Sequence, residues 1–323
     1  MKKLVAIIAG DPESINSEII AKTWFKRKKF KNLNIFVIGN YNLIKRQLII
    51  LNLKIELNKI TTLHDNNIDK KLSIYDVPLS FKNPFKISKL NKKNYIFKSF
   101  NVGIKFAKNN QILGLINCPI NKKEIFEKNI GITEYLAKKT NVLGNEAMLI
   151  YNKKLSVCPI TTHIKLKNIS KNLTQKKIFN KISTINRFYY KNLKSKPKIA
   201  VTGLNPHNDE LRKDSEEKTI IIPAIKKLKK KGLKIEGPLP ADTAFLNINR
   251  KRFNILVGMY HDQVLSPFKG IYNFDAINIT LGLPFIRISP DHGTGRDIIR
   301  KNLASPVSLI ESIKFFNRIN VKT

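Results

Sequence analysis

Short apolar runs alternate along this chain with longer amphipathic segments, and that alternation limits the possible folds more than any other feature. The runs are LVAIIA (4–9), NIFVIG (34–39), ILGLINC (112–118), AMLIYN (147–152), LSVCPI (155–160), KIAVTG (198–203), FNILVGM (253–259) and AINITLG (276–282). Runs this compact and this rich in Ile and Val predict strands buried on both faces. Apolar spacing between them predicts helices over 16–29, 94–109, 171–192, 215–231 and 306–320. Strands and helices in alternation mean an α/β architecture with a largely parallel sheet. At 323 residues the chain can form two such domains or one large one. The lysine- and asparagine-rich stretch 60–95 follows neither period and is left unassigned.

Charge is the next constraint. Sixty Lys and Arg face 23 acidic residues, a formal balance of +37. Such an excess points first to nucleic acid or an anionic membrane. Here the lysines are dispersed, as in FKRKKFKN (25–32), KNLKSKPK (191–198) and IKKLKKKGLK (225–234), so they read as solvated helix faces and loops. A polyanion-binding protein with no enzymatic role is the alternative. The diffuse positive field would still attract a phosphorylated substrate. Cys118 and Cys158 each end an apolar run and read as buried, reduced thiols. The opening MKKLVAIIAG starts like a secretory leader, yet its apolar run stops at Asp11-Pro12-Glu13, too soon for an h-region. No run reaches membrane-spanning length. The expectation is a cytoplasmic protein.

Three of the five histidines fall at comparable places. His163 follows SVCPITT, His207 follows KIAVTGLNP and His261 follows NILVGMY, each at or just past the C-terminal end of a predicted strand. In open α/β sheets that edge carries the ligand sites. Three imidazoles meeting there could hold one divalent ion and leave a position for water or substrate, with zinc the best match among common metals. A strand-end histidine also serves as a simple hydrogen-bonding residue, and local sequence leaves both readings open. Thr161, Thr162, Asn205, Asp262 and Gln263 flank the three and could orient rings or ligand. In EGPLPADTAF (236–245), Asp242 falls at a predicted helix start, where capping is the simpler role. The segment 278–298 contains Arg287 and then the polar turn His292-Gly293-Thr294-Gly295, whose backbone amides could face a phosphate or nucleotide. The dinucleotide fingerprint G-x-G-x-x-G is absent.

Taken in order, TTHIKL (161–166), GLNPH (203–207), GPLPADT (237–243), YHDQ (260–263) and NITLGLPFIRISPDHGT (278–294) resemble the 4-hydroxythreonine-4-phosphate dehydrogenase family of pyridoxal phosphate biosynthesis. The similarity is collinear and densest over 155–298. It implies a two-lobed fold like that of isocitrate and isopropylmalate dehydrogenases, with α/β/α lobes around a cleft. The expected division is 1–118 with 278–323 as the cofactor-side lobe, and 119–277 as the metal and dimerisation lobe. The resemblance further implies NAD(P)-dependent oxidation of 4-phosphooxy-L-threonine to a β-keto acid, which decarboxylates to 3-amino-2-oxopropyl phosphate. It implies a homodimer whose active site is shared across the interface. By position, His163, His207 and His261 match the metal ligands, for zinc or alternatively magnesium, cobalt or manganese. Thr133, Lys269, Asn278 and Arg287 match substrate contacts, and His292, Gly293, Thr294 and Asp297 belong to the cofactor turn, for NAD or NADP. Asp242 and Asp262 are candidates for orienting a ligand or relaying a proton.

The chain also departs from the family pattern. Ile132 stands where Gly-His-Thr-Glu has its histidine, and the preceding segment EKNIGITE is shortened. Asn121 replaces the histidine of Pro-Val-His-Lys. In the first turn, Ser14 and Asn16 replace two glycines. After His207 the usual glycine-rich stretch reads NDELRKDSEE. Either these are tolerated losses, or the pocket takes a related phosphorylated hydroxy acid such as a threonate or erythronate.

Overall fold

The computed structural model describes residues 3–30, 32–63, 70–126, 131–273 and 276–319. Its strands in chain order are β1 (Lys3–Ile8), β2 (Leu33–Gly39), β3 (Leu57–Ile60), β4 (Leu72–Asp76), β5 (Gly114–Asn117) and β6 (Ala147–Tyr151). They continue with β7 (Ser156–Pro159), β8 (Ile199–Thr202), β9 (Ile235–Leu239), β10 (Ile255–Gly258), β11 (Ile277–Leu281) and β12 (Ile286–Pro290). The architecture is α/β, as the alternation predicts. Two compact units are present, Met1–Ile132 with Pro284–Val321, and Thr133–Leu283.

In the first unit the strands run β3-β4-β2-β1-β5-β12 and all neighbours are parallel. Val5, Ala6, Ile7 and Ile8 of β1 are fully buried, as expected for a central parallel strand with both faces covered. The helix Lys89–Lys108 comes close to the sheet at Gly103, where a Cβ would meet the Leu115 side chain at 2.8 Å. Because β1, β5 and β12 are adjacent and parallel, the segments that follow them share one sheet edge. That brings together residues 9–15, 118–124 and 291–297.

In the second unit the order is β11-β6-β7-β10-β8-β9. β6 is antiparallel to both β11 and β7, whereas β7, β10, β8 and β9 are mutually parallel. The segments after β7, β10 and β8 therefore also share an edge, and these are the segments carrying His163, His261 and His207. Val157, Ala200 and Leu256 of the sheet pack with Val264 and Phe268 of the helix His261–Tyr272. Val264 and Phe268 are four apart and fully buried, so one stripe anchors this helix and the histidine at its start. Burying a Phe of this kind contributes about 2–3 kcal/mol.

Every run expected to be a strand contains one, but β3, β4, β9 and β12 go unread in the sequence. β3 and β9 end their series, and both are only partly buried. An edge strand needs no continuous apolar run. β4 and the start of the helix Lys89–Lys108 occupy the stretch left unassigned, of which 64–69 lies outside the described residues. The helices Tyr41–Ile50, Ile132–Lys139 and His261–Tyr272 are further additions. The last carries Pro267 within it and Gly270 near its end, which mask a helical pattern. Asn40 caps the first of them by accepting the Leu43 amide at 2.8 Å. Cys118 and Cys158 are buried free thiols. Among the described residues no helix is long and apolar enough to cross a membrane.

Candidate active site

His163 and His261 come together at the sheet edge of the second unit, with ring centroids 5.7 Å apart and planes inclined at 39°. Their segments are locked by backbone bonds. The Thr161 amide and hydroxyl both donate to the Met259 carbonyl, at 3.1 and 2.7 Å. Gln263 is the matching clamp on the other side. Its Oε1 accepts the Met259 amide at 2.7 Å and the Thr202 hydroxyl at 3.0 Å, and its Nε2 donates to the Gly203 carbonyl at 2.8 Å. One side chain thus ties the end of β10 to the end of β8.

The Asp262 carboxylate lies 2.6 Å from His261 Nδ1. A carboxylate there holds the proton on Nδ1 and turns the Nε2 lone pair outward, the usual preparation of a metal-ligating imidazole. Thr161, Asn205 and Gln263 instead hold the loops. Asn205 donates to Glu216 and Glu217, and the fully buried Glu217 also accepts the Leu204 and Asn205 amides at 2.7 and 2.9 Å. Glu217 opens a π-helical turn, Glu217–Ile221, and no local sequence signal marks it.

His207 is exposed and begins an unusual stretch. His207, Asn208, Asp209, Glu210 and Leu211 all have positive φ, between 48° and 60°. Left-handed backbone costs about 1–2 kcal/mol per L-residue. This gives the absent glycines a physical meaning: the conformation suits glycine, and this chain adopts it with five other residues. Among the described residues no group of three or more His, Cys, Asp or Glu side chains could hold a metal ion. The donors brought together in one chain are therefore two imidazoles, one already oriented by a carboxylate. They fit part of a zinc-type site, which needs a third protein ligand.

The remaining candidates divide between the units. In the second, Thr133 Oγ1 is 3.4 Å from Thr280 Oγ1, and Asn278 is on the same face of β11, two residues away. The Asn278 Oδ1 is buried and has no hydrogen-bond partner. Lys269 is half-buried, two turns along the helix begun by His261. Asp242 is exposed in a turn, and its carboxylate accepts the amide of Thr243 at 2.8 Å. The next helix is Asn247–Arg252, so Asp242 does not start a helix as the sequence suggests. Ile132, in place of a histidine and the last residue of the first unit's opening segment, is buried as the first residue of the helix Ile132–Lys139.

In the first unit Arg287 is only 2% exposed, and its Nε donates to Asn117 Oδ1 at 2.6 Å. Sequence reading passes over Asn117, since an asparagine ending an apolar run looks like an ordinary strand end. The turn after β12 is moored to the turn after β1: the Ile15 amide donates to the Thr294 carbonyl at 3.1 Å. Gly295 has φ +56°, and a Cβ there would meet Ile15 Cδ1 at 2.6 Å. Gly293 and Asp297 are exposed. His292 Nδ1 is 2.9 Å from the Gly293 carbonyl, while its Nε2 is buried without a partner. Burial holds the His292 pKa below the ordinary histidine value, against the opposing influence of Gly293 and Asp291. Ser14 and Asn16 bond where glycines are usual: Ser14 Oγ donates to the Asp11 carbonyl and Asn16 Nδ2 to the Pro119 carbonyl at 2.9 Å.

Parallel sheet edges carrying paired imidazoles, a buried arginine and a glycine-threonine turn define an α/β enzyme with polar sites at strand ends. A model of the family "Pyridoxal phosphate biosynthetic protein PdxA" matches residues 31–316, and the chain belongs to that family. A relative from Sulfurihydrogenibium sp., named 4-hydroxythreonine-4-phosphate dehydrogenase, is 39% identical over 96% of each chain. D-threonate 4-phosphate dehydrogenase of Pectobacterium atrosepticum is 32% identical over 97% of this chain and 98% of its own. The crystal structure of 4-hydroxythreonine-4-phosphate dehydrogenase from Klebsiella pneumoniae superposes with a TM-score of 0.83, at 30% identity and 98% coverage of both chains. The protein is a dehydrogenase, an oxidoreductase of this family.

Proposed function

We propose that this enzyme oxidises 4-phosphooxy-L-threonine at its secondary hydroxyl, with NAD or NADP as acceptor and a divalent cation, zinc first, at the imidazoles. The β-keto acid formed would lose CO₂ to give 3-amino-2-oxopropyl phosphate, placing the enzyme in pyridoxal phosphate biosynthesis in the cytoplasm. The reading is carried by the approach of His163 to His261 beside the Asp262 carboxylate, in a chain whose relatives bear this dehydrogenase name. When bound, the cation would lend Lewis acidity to the reacting oxygens and the nicotinamide would take up hydride.

The protein's own groups have separable tasks. His163 and His261 would hold the cation, and His207 of a second copy would complete the site in a homodimer. Asp262 keeps the His261 tautomer fixed, so its carboxylate orients and does not move protons. Asp242, exposed and accepting the amide of its neighbour Thr243, is the better carrier for the hydroxyl proton. Arg287 and Lys269 would bind the anionic groups of the substrate, with Asn278 and Thr133 as hydrogen-bond donors. Asn117 fixes the arginine's Nε and with it the orientation of the guanidinium. The turn His292–Asp297, with Gly293 and Thr294, would receive the dinucleotide.

A second reading keeps the chemistry and changes the substrate to a threonate or erythronate 4-phosphate. Two observations favour considering it: a relative named for D-threonate 4-phosphate, and the burial of Ile132 where a histidine is usual. Nicotinamide absorbance with each substrate, with and without chelator, tests both. We expect metal-dependent reduction with a higher kcat/KM for phosphooxy-threonine. A higher value for threonate 4-phosphate selects the second reading, and no reduction by folded, metal-loaded protein overturns both.

A further inference from the structure

A charged cluster centred on Lys92, to which the reading above gives no task, joins the turn 292–297 of the first unit through Arg296. Lys92 is at the start of the helix Lys89–Lys108 and is 3% exposed. Its ammonium is 2.6 Å from Glu13 Oε2 and 2.6 Å from Glu124 Oε2. Glu124 Oε1 accepts Arg296 at 2.7 Å and Asn121 Nδ2 at 2.7 Å, and Arg296 is 3.6 Å from Glu13. Glu13 Oε1 accepts the Ile87 amide at 2.6 Å. The buried Asp11 closes the cluster by accepting the amides of Glu13 and Asn121 at 2.9 and 3.1 Å.

Helix stability does not explain this lysine. A cation near a helix N-terminus opposes the macrodipole, and burying an ammonium is costly unless carboxylates surround it. Burial alone would pull the Lys92 pKa down, and the hydrogen bonds to Glu124 and Glu13 overcome it and raise it. What the arrangement achieves is geometric. Three segments, from the ends of β1 and β5 and the turn after β12, meet through one ammonium and one guanidinium. Arg296 is the member of that set lying inside the turn.

We propose that Lys92 is a positioning residue for dinucleotide binding: it fixes Glu13 and Glu124, which hold Arg296 and thereby give the turn 292–297 its binding shape before the dinucleotide arrives. This rests on the reading of that turn given above. The test is titration of the whole protein with NADH and NADPH by fluorescence, together with steady-state kinetics, for Lys92→Met, Lys92→Arg and Arg296→Met. Lys92→Met should weaken dinucleotide binding and raise its KM about ten-fold. KM for the phosphorylated substrate and kcat at saturating dinucleotide should change less than about two-fold, and Lys92→Arg should recover most of the loss. If Lys92→Met fails to fold, the exposed-side Arg296→Met carries the test with the same expected split. Unchanged dinucleotide affinity in the folded variant, or a proportional loss in every kinetic constant, overturns the inference while leaving the functional reading intact. Wild-type protein that binds neither dinucleotide overturns the functional reading, and this inference with it.

Discussion

The two sheet edges hold their candidate site residues under opposite degrees of restraint. In the first unit, Arg287 is buried against Asn117, and the turn 292–297 is tied by Thr294, Gly295 and Arg296 to segments from two other strands. In the second, His163 and His207 are exposed, and the carboxylate that orients His261 is itself 78% exposed. Restraint there is one layer down, in Gln263, Thr161 and Glu217, which hold backbone. The contrast teaches that one edge is shaped before any ligand arrives, while the other offers oriented donors whose final arrangement a bound cation would set.

The largest expected effect tests the open edge. His163→Ala or His261→Ala should lower metal-dependent turnover by about a thousand-fold or more, the scale of losing several kcal/mol of charge stabilisation. Zinc affinity by equilibrium dialysis should fall with it, and NADH affinity should not. Retained zinc binding would break the comparison. Next comes the closed edge: Asn117→Leu strands a buried guanidinium nitrogen, and bonds to charged groups are worth about 1.5–3 kcal/mol. KM for the phosphorylated substrate should rise roughly ten- to one-hundred-fold, with zinc affinity unchanged.

Acidification should then loosen the closed edge first. The folded pKa of His292 is depressed, chiefly by burial, so the unfolded chain binds the proton more readily. Stability contributed by neutral His292 is present above the ordinary histidine range and is lost as pH falls through the lowered value. Glu124 behaves likewise at lower pH: burial raises its pKa, the hydrogen bonds from Lys92 and Arg296 outweigh that, and the net shift is downward. Its contribution disappears below the ordinary glutamate range. Asp11, raised by burial, works in the opposite sense. Urea midpoints measured against pH for wild type and His292→Asn should differ in the upper step only. The smallest effect lies in the strained stretch beside His207. Glu210→Gly removes a left-handed penalty of about 1–2 kcal/mol and adds back about 0.5–1 kcal/mol of unfolded-chain entropy. Net stabilisation of about 0.5–1 kcal/mol, read as a higher Tm, is expected, and a lower Tm would show that Glu210 is not strained.

Much of this was legible in the chain itself. Buried parallel strands announce themselves because both faces need apolar residues, so β1, β2, β5, β7, β8 and β10 could be read directly from their runs. Three histidines at strand ends mark a candidate ligand site, and the order of the five motifs points to the family. Partly exposed strands such as β3 and β9 could not be read, since half of their side chains meet water. The helix His261–Tyr272 was hidden by Pro267 and Gly270, although the stripe of Val264 and Phe268 holds it firmly.

Local composition suffices for the α/β class and for marking candidate site residues, because burial and strand-end position leave marks on neighbouring residues. Long-range pairing decided the rest. That Asn117 grips Arg287 across 170 positions, that Lys92 joins Glu13 to Glu124, and that His163 meets His261 are consequences of strand order. Strand order is set by which loops close around a shared core, an energy summed over the whole chain that no single segment records.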